Sequence, residues 1–408
     1  MRTTAVVIGA GHAGLAMSRR LTERSVEHVV LEGRDVADSW RTKRWPALRL
    51  LTPNWMLGLP GQAAEQPDPD GFLTAPEVAD LLRDYARRVA APVRTHTTVR
   101  SVRRGCHGYQ VRTEDGAWQA DAVVLATGGS SVPFVPACAA ALPPSVAQRT
   151  AFDYLGPDSL PDGGVLVVGA SATGVQLAAE LRRAGRPVIL AVGEHVRLPR
   201  TYRGRDVFWW LRATGVLAER YDEVDDLARA RRLPSPQLVG SAVPVDLAAL
   251  VADDVRLVGR LASVGDGVAH FSGSLRNVCA LADLKMARFL GRADEWAKAS
   301  GLDDELPPPS RPSRTPVPDR PCLSLDLAAG EISTVVWASG FRPDHALLDL
   351  PVLDRSGHLR HDGGVVTDAR GLYALGLPML RTRASTYIHG APADTEALAD
   401  RLVADLAR

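Results

Sequence analysis

Two α/β units of the three-layer ββα/βαβ kind, the second inserted into the first, are the fold class that three features of this 408-residue sequence predict. An apolar strand runs through a glycine-rich loop into a helix near the N-terminus. The same grammar begins again at Pro161, and a proline-rich connector then leads late strands back towards the first unit. A repeat of this kind is one of βαβ units, so both are predicted to be Rossmann-like and to bind nucleotides.

Each element follows from its local pattern. Residues 5–8 form a short buried-type strand that stops at Gly9-Ala-Gly-His-Ala-Gly14; residues 15–23 continue as a helix, and 28–31 form a second strand ending at Glu32. A helix over 76–90 and β-like stretches at 97–102 and 109–112 lead to the strand 122–125 and Ala126-Thr-Gly128. The second unit opens with strand 165–168, the loop Gly169-Ala-Ser-Ala-Thr-Gly174, a helix over 175–184 and strand 187–192. Residues 208–233 have helical spacing and read as a lid or insertion. Residues 307–321, rich in proline and serine, read as an extended connector. Strand 334–337, Ala338-Ser-Gly340, Gly371-Leu-Tyr-Ala-Leu-Gly376 and a helix over 394–407 then complete the first unit. The expected boundaries are 1–155 with 312–408 for the outer unit and 156–311 for the inner one, with a helical insertion around 203–300.

Composition narrows the function classes. Apolar residues make up 46% and charged residues 23%, and 48 basic against 47 acidic side chains leave a net charge of +1. The totals therefore lend no electrostatic support to a nucleic-acid or membrane-surface partner. Cys106, Cys138, Cys279 and Cys322 show neither C-x-x-C nor metal-ligand spacing, which argues against a redox disulfide, zinc or an iron–sulfur cluster. No apolar run approaches the roughly 20 residues of a membrane span. The N-terminal apolar run is too short for a signal peptide, so a cytoplasmic location is the expectation.

The first loop carries Gly9-x-Gly11-x-x-Gly14 in the context that the fingerprint requires. Gly9 permits the tight turn, Gly11 lets a pyrophosphate approach the helix N-terminus, and Gly14 allows the helix to pack closely on the strand. Glu32 is placed to accept hydrogen bonds from adenosine ribose hydroxyls. In the second loop Ser171 stands between Gly169 and Gly174, with Ala172 and Thr173 opening the helix. No acid is expected at the end of its second strand. Arg197, Arg200, Arg203 and Arg205 follow, and positive charge there favours the 2′-phosphate of NADPH over NADH.

With both loops, Ser39-Trp-Arg41, Arg44-Trp45, Leu48-Arg-Leu-Leu-Thr-Pro53, Ala126-Thr-Gly128, Ala338-Ser-Gly-Phe-Arg342 and Gly371-Leu-Tyr-Ala-Leu-Gly-Leu-Pro378, the sequence resembles the flavin-dependent monooxygenases of the two-dinucleotide-domain class. That group includes flavin-containing, N-hydroxylating and Baeyer–Villiger types, and the likeness is strongest to a bacterial flavoprotein branch. The resemblance implies FAD in the outer unit and NADPH in the inserted one. It further implies a reaction in which O2 and a small organic substrate are partners and one oxygen atom is transferred through a flavin C4a-(hydro)peroxide. It places Trp40 and Arg41 along the flavin and sets Thr127, Gly128, Ser339 and Gly340 at the crossings between units. His12, Ala13, Val99, Ala126, Arg342 and Leu377 complete the expected cofactor contacts.

In one stretch the sequence departs from the family. A fingerprint ending in a His-Ser pair normally precedes the second loop, but here residues 142–150 put Gln148 or Arg149 where the histidine falls. The departure bears on how NADPH oxidation is coupled to oxygen chemistry, and it keeps open an NAD(P)H oxidoreductase without oxygen insertion and a non-catalytic redox sensor. Asn54 reads either as a donor to the flavin peroxide or as a loop residue. His12 reads as a cofactor contact or a surface residue, Trp209 and Trp210 as cavity wall or core, and His389 as a flavin neighbour or a structural histidine. The related disulfide reductases need two neighbouring cysteines beside the flavin, which this sequence lacks. A homodimer is the default oligomer.

Overall fold

The computed structural model describes residues 1–62 and 68–408. In chain order the outer unit begins with β1 (Arg2–Ile8), α1 (His12–Glu23), β2 (His28–Leu31), α2 (Ser39–Thr42), α3 (Ala75–Arg88), β3 (Val93–Arg94), β4 (Val99–Arg104), β5 (Tyr109–Thr113) and β6 (Gly116–Leu125). The crossing strand β7 (Val132–Pro133) leads into the inner unit. That unit contains β8 (Ala147–Thr150), β9 (Gly164–Val168), α4 (Ala172–Arg183), β10 (Val188–Val192), the hairpin β11 (Thr201–Tyr202) and β12 (Arg205–Asp206), then α5 (Val207–Ala213), α6 (Leu227–Arg232) and α7 (Leu247–Ala252). It continues through β13 (Arg256–Gly259), β14 (Leu261–Gly265), β15 (Val268–Phe271), α8 (Leu275–Ala299), β16 (Ser324–Asp326) and β17 (Ile332–Trp337). A return strand, β18 (Phe341–Arg342), precedes β19 (His361–Asp362), β20 (Val365–Val366), β21 (Leu372–Ala374) and α9 (Ala391–Leu406).

The outer sheet has the order β19-β20-β21-β6-β1-β2-β3, with β4 and β5 joined to it through β6. β1 lies parallel between β2 and β6, with Val6 opposite Val29 and Val123. Val6, Val7, Val30, Val123 and Val124 are fully buried, which explains why these strands read as continuous apolar runs instead of alternating ones. The inner sheet, β13-β10-β9-β17-β8, is parallel throughout. Capping signals set the helix starts: at α3 the Thr74 side chain accepts from the Glu77 N–H while Glu77 reaches back to Thr74, and Pro76 occupies the first turn.

Strand pairing shifts the domain boundaries. β8 and β17 lie outside the expected limits of 156 and 311, yet both belong to the inner sheet. The crossings are β7 and β18, which pair antiparallel through Phe341 with Pro133 and Arg342 with Val132. The 208–233 stretch holds only two short helices, α5 and α6, separated by a 3-10 turn and loop. The long helix of the insertion is α8. Its buried positions run at helical spacing, but Ala282, Ala293 and Ala297 are among them, so its apolar contrast in sequence is weak.

An apolar cluster also ties the units together: Met56 and Ala384 of the outer unit are buried with Leu198, Phe208 and Leu238 of the inner one. Trp210 is fully buried, donates to the Tyr202 carbonyl at 2.7 Å and meets Trp209 edge-on, so this tryptophan pair is core of the insertion.

The first turn of α9 holds a buried carboxyl, Asp394, that desolvation raises from its ordinary 3.8 to about 6, against opposing effects from the Ser385 hydroxyl and Arg381. A raised native value means that this group's contribution to stability is present in full below the unfolded value and is lost as pH rises through about 6. Asp394→Asn is therefore expected to stabilise the protein by roughly 2 kcal/mol above pH 7 and to be near neutral at pH 4, as urea melts at the two pH values would read.

Candidate active site

The two glycine loops are built alike. Gly9 has φ +106°, and a Cβ there would stand 2.6 Å from the Ala126 carbonyl oxygen; Gly169 has φ +113° and packs in the same way on the Ala338 carbonyl. A Cβ on Gly14 or Gly174 would strike the carbonyl of its own loop's first glycine. Each Ala-Thr/Ser-Gly turn is thus the packing partner of one glycine loop. Around Gly11, by contrast, nothing lies within 4 Å of where a Cβ would be. The caps of α1 and α4, Gly11 and Ser171, make no side-chain capping bond, so their first-turn N–H groups lack a protein side-chain acceptor and suit an anion.

Both loops open on one cleft of about 2190 Å³. That is at least twice the upper size of roughly 1,000 Å³ usual for a small-ligand pocket. Gly9, Gly11, His12 and Ala13 line it together with Ala126, Thr127 and Gly128, as do Gly169, Ser171, Ala172 and Thr173 with Ser339 and Gly340. Glu32, Trp40, Val99, Arg342 and Leu377 also face it. The Glu32 carboxylate accepts from the Ala10 N–H at 2.8 Å and the Arg34 N–H at 3.2 Å, which holds it beside the first loop. His12 has a buried Nε2 without a partner, and burial pushes its ring down to about 4, so it is neutral near pH 7.

Several sequence-predicted residues lie elsewhere. Arg41 is on the surface, 2.5 Å from Asp80. Asn54 is buried, donates to the Asp68 carbonyl and accepts from the Leu73 N–H; Leu51 and Thr52 line the cleft in its neighbourhood. Gln148 donates to the Ala139 carbonyl and accepts from Trp337 Nε1 at 3.0 Å, while the half-buried Arg149 donates to the Gln148 carbonyl at 2.8 Å, and neither lines the cleft. Gln148→Ala is accordingly expected to cost about 1 kcal/mol of stability by orphaning the indole N–H, as urea melts would read. His389 also stands outside the lining, although Thr386, Tyr387 and Ile388 belong to it.

The arginines after the second loop need the largest correction. Arg197 pairs with Asp246 at 2.8 Å and Asp283 at 2.6 Å, and Arg200 pairs with Asp206. Arg203 pairs with Asp303 at 2.8 Å, and all three are buried. A guanidinium this deep needs its carboxylate, so these charges are structural. The cations lining this side of the cleft are Arg231, Arg232 and Arg260. An acid stands there as well: Glu194, two residues past β10, bridges to Lys285 at 3.3 Å and Arg229 at 3.5 Å. It was legible in the sequence but falls one position later than the strand end where Glu32 sits.

Sequence reasoning also missed an aromatic wall. The Arg44 guanidinium lies 5.2 Å from the Trp40 ring centre and 5.5 Å from that of Phe152, which stacks on Phe341 at 5.2 Å. Burial pushes Arg44 down to about 10. These residues come from both units, so only the tertiary fold brings them together.

Residues 6–213 match the family model described as pyridine nucleotide-disulphide oxidoreductase. The chain belongs to that family. A relative from Geobacillus kaustophilus, an uncharacterized oxidoreductase called CzcO-like, is 31% identical over 96% of each chain. Among solved structures, the flavin-containing monooxygenase from Stenotrophomonas maltophilia superposes with a TM-score of 0.67 at 19% identity, covering 99% of this chain and 98% of that one. The bacillithiol disulfide reductase Bdr from Bacillus cereus gives 0.63 at 15% identity, covering 99% of both. These two likenesses concern the fold, a two-domain Rossmann-like architecture. The chain is thus an enzyme of the pyridine nucleotide-disulphide oxidoreductase family. Its four cysteines are all free, and no helix among the described residues is long and apolar enough to cross a membrane.

Proposed function

We propose that this oxidoreductase is an FAD-dependent, NADPH-consuming monooxygenase that inserts one oxygen atom of O2 into a small organic substrate. The observation that carries the reading is the pair of glycine loops, one from each unit, opening with uncapped helix N-termini on a single cleft of about 2190 Å³. Two dinucleotides fit such a cradle in chemistry as well as size. The first-turn N–H groups of α1 would receive the FAD pyrophosphate and Glu32 the adenosine ribose; those of α4 would receive the NADPH pyrophosphate. When bound, the flavin supplies the redox chemistry between NADPH and O2. The protein's part is orientation and exclusion of water. Trp40, Phe152 and Phe341 give the cleft an apolar wall at the seam between units, and neutral His12 adds a ring nitrogen beside the first loop.

The test is oxygen uptake by FAD-loaded protein given NADPH, with product mass read in ¹⁸O2 across a substrate panel. Incorporation of one labelled oxygen supports the reading. A purified protein that holds no flavin, or NADPH oxidation without O2 uptake, overturns it.

One observation favours a second reading, an NAD(P)H oxidoreductase without oxygen insertion. Gln148 is bound to Trp337 and Ala139, Arg149 donates to the Gln148 carbonyl, and neither lines the cleft, so neither supplies it with a counterpart of the histidine that the monooxygenase resemblance puts at this point. Flavin reduction by NADPH followed by reoxidation with an organic acceptor, and no labelled product, would decide for it.

A further inference from the structure

We propose that the cleft wall where α6 meets β19 is an oxyanion site formed by Arg231, His345 and His361, taking a phosphate or carboxylate group of a ligand held in the cleft. This deepens the functional reading above and rests on the cleft being the ligand site.

This wall holds an excess of donors. His361 Nε2 lies 3.2 Å from the Arg231 guanidinium, and its Nδ1 lies 3.2 Å from the Gly364 N–H. Both neighbours can only donate. A neutral imidazole has one accepting nitrogen, so it can satisfy only one of them and must point its own N–H at the other. Turning the ring over exchanges nitrogens for carbons and leaves both donors without an acceptor. Protonating it removes the last acceptor, and burial together with Arg231 holds the ring down to about 4. Arg231 Nε and His345 Nε2 are also buried without a partner. Unsatisfied buried polar atoms of this kind cost free energy unless something fills the site.

An oxyanion resolves the conflict. His361 would keep Nδ1 as acceptor for Gly364 and turn its Nε2–H to the anion, while Arg231 and His345 would donate to the same group. Arg231 has no carboxylate partner among the described residues, and Arg231, His345, His358 and His361 all line the cleft. The nearby acids are each engaged: Asp362 accepts from the Tyr221 hydroxyl, and of the two that line the cleft Asp354 bridges to His358 at 3.6 Å and the exposed Asp344 accepts from the Ala346 N–H. A metal is the less suitable occupant, because no three His, Cys, Asp or Glu side chains converge as ligands among the described residues.

The 2′-phosphate of NADPH and the carboxylate of an acidic substrate share this chemistry. Calorimetric titration of the FAD-loaded protein with inorganic phosphate tests the site, and competition assigns the source. Saturable phosphate binding weakened at least tenfold by Arg231→Gln and by His361→Phe is expected. Competition with NADPH but not NADH would assign the site to the nucleotide; competition with benzoate alone would assign it to a substrate acid. His345→Asn is a third variant, and circular dichroism establishes that each is folded. Absent phosphate binding, or equal affinity in all folded variants, overturns the proposal. Phosphate binding of the expected kind without flavin reduction by NADPH would keep the site and discard the monooxygenase reading; normal reduction with phosphate affinity unchanged in the variants would discard the site alone.

Discussion

Gly11→Glu is expected to give a folded, soluble protein that holds no flavin, whereas Gly14→Val, three residues along the same loop, is expected to abolish folding. The opposite outcomes follow from what surrounds each position. A side chain at Gly11 meets no protein atom within 4 Å and projects from the helix N-terminus that lines the cleft, where its carboxylate would occupy the place of a pyrophosphate. A Cβ at Gly14 collides with the Gly9 backbone and presses on Ala126, both of which are fixed by the central strands. Neither can give way without separating α1 from β1, a disruption in the range above about 4 kcal/mol. Flavin absorbance of the purified protein, with circular dichroism and soluble yield, reads both results. A flavin-loaded Gly11→Glu protein would sink the assignment of the first loop.

Arg197→Leu is expected to destabilise the protein by about 3–5 kcal/mol and to leave the preference between NADPH and NADH unchanged. The guanidinium joins the cap of α7 (Asp246), the face of α8 (Asp283) and the connector through the Ser313 carbonyl at 2.8 Å. Removing it leaves two carboxylates without a counter-charge in a half-buried setting, and Asp283 also holds Thr315. Denaturant unfolding gives the loss, and nucleotide titration of the surviving folded protein gives the specificity. Intact stability with weakened NADPH binding would return Arg197 to the nucleotide site.

Local chemistry decided what was readable in advance. The glycine loops, the strands beside them and Glu32 were legible because each depends on a few consecutive residues whose backbone geometry has one economical solution. Helix ends came within about three residues where a cap or proline marks them, as at α3. The arginines after β10 were misassigned because sequence shows a charge without its partner: Asp246 and Asp283 lie far along the chain and only the folded insertion brings them to Arg197. The same holds in reverse for Arg231, whose neighbour His361 belongs to the other unit. The alanine-rich face of α8 gave too little apolar contrast to betray a 25-residue helix. Gln148 and Arg149 were singled out by their position in a motif, and no motif reveals that β8 turns them away from the cleft.

The nesting of one unit inside the other dictates an order of assembly during synthesis. The inner sheet has all its strands once β17 has left the ribosome, while the outer sheet still lacks β21, the strand that flanks β6, and α9, which packs on α1. The half whose translation starts first is therefore the last to close, with β1, β2 and β6 waiting through the making of more than two hundred residues. A truncation just before β21 would strand a finished inner module on an unfinished outer one, and the first loop would have its glycines but not the completed sheet that gives them their shape.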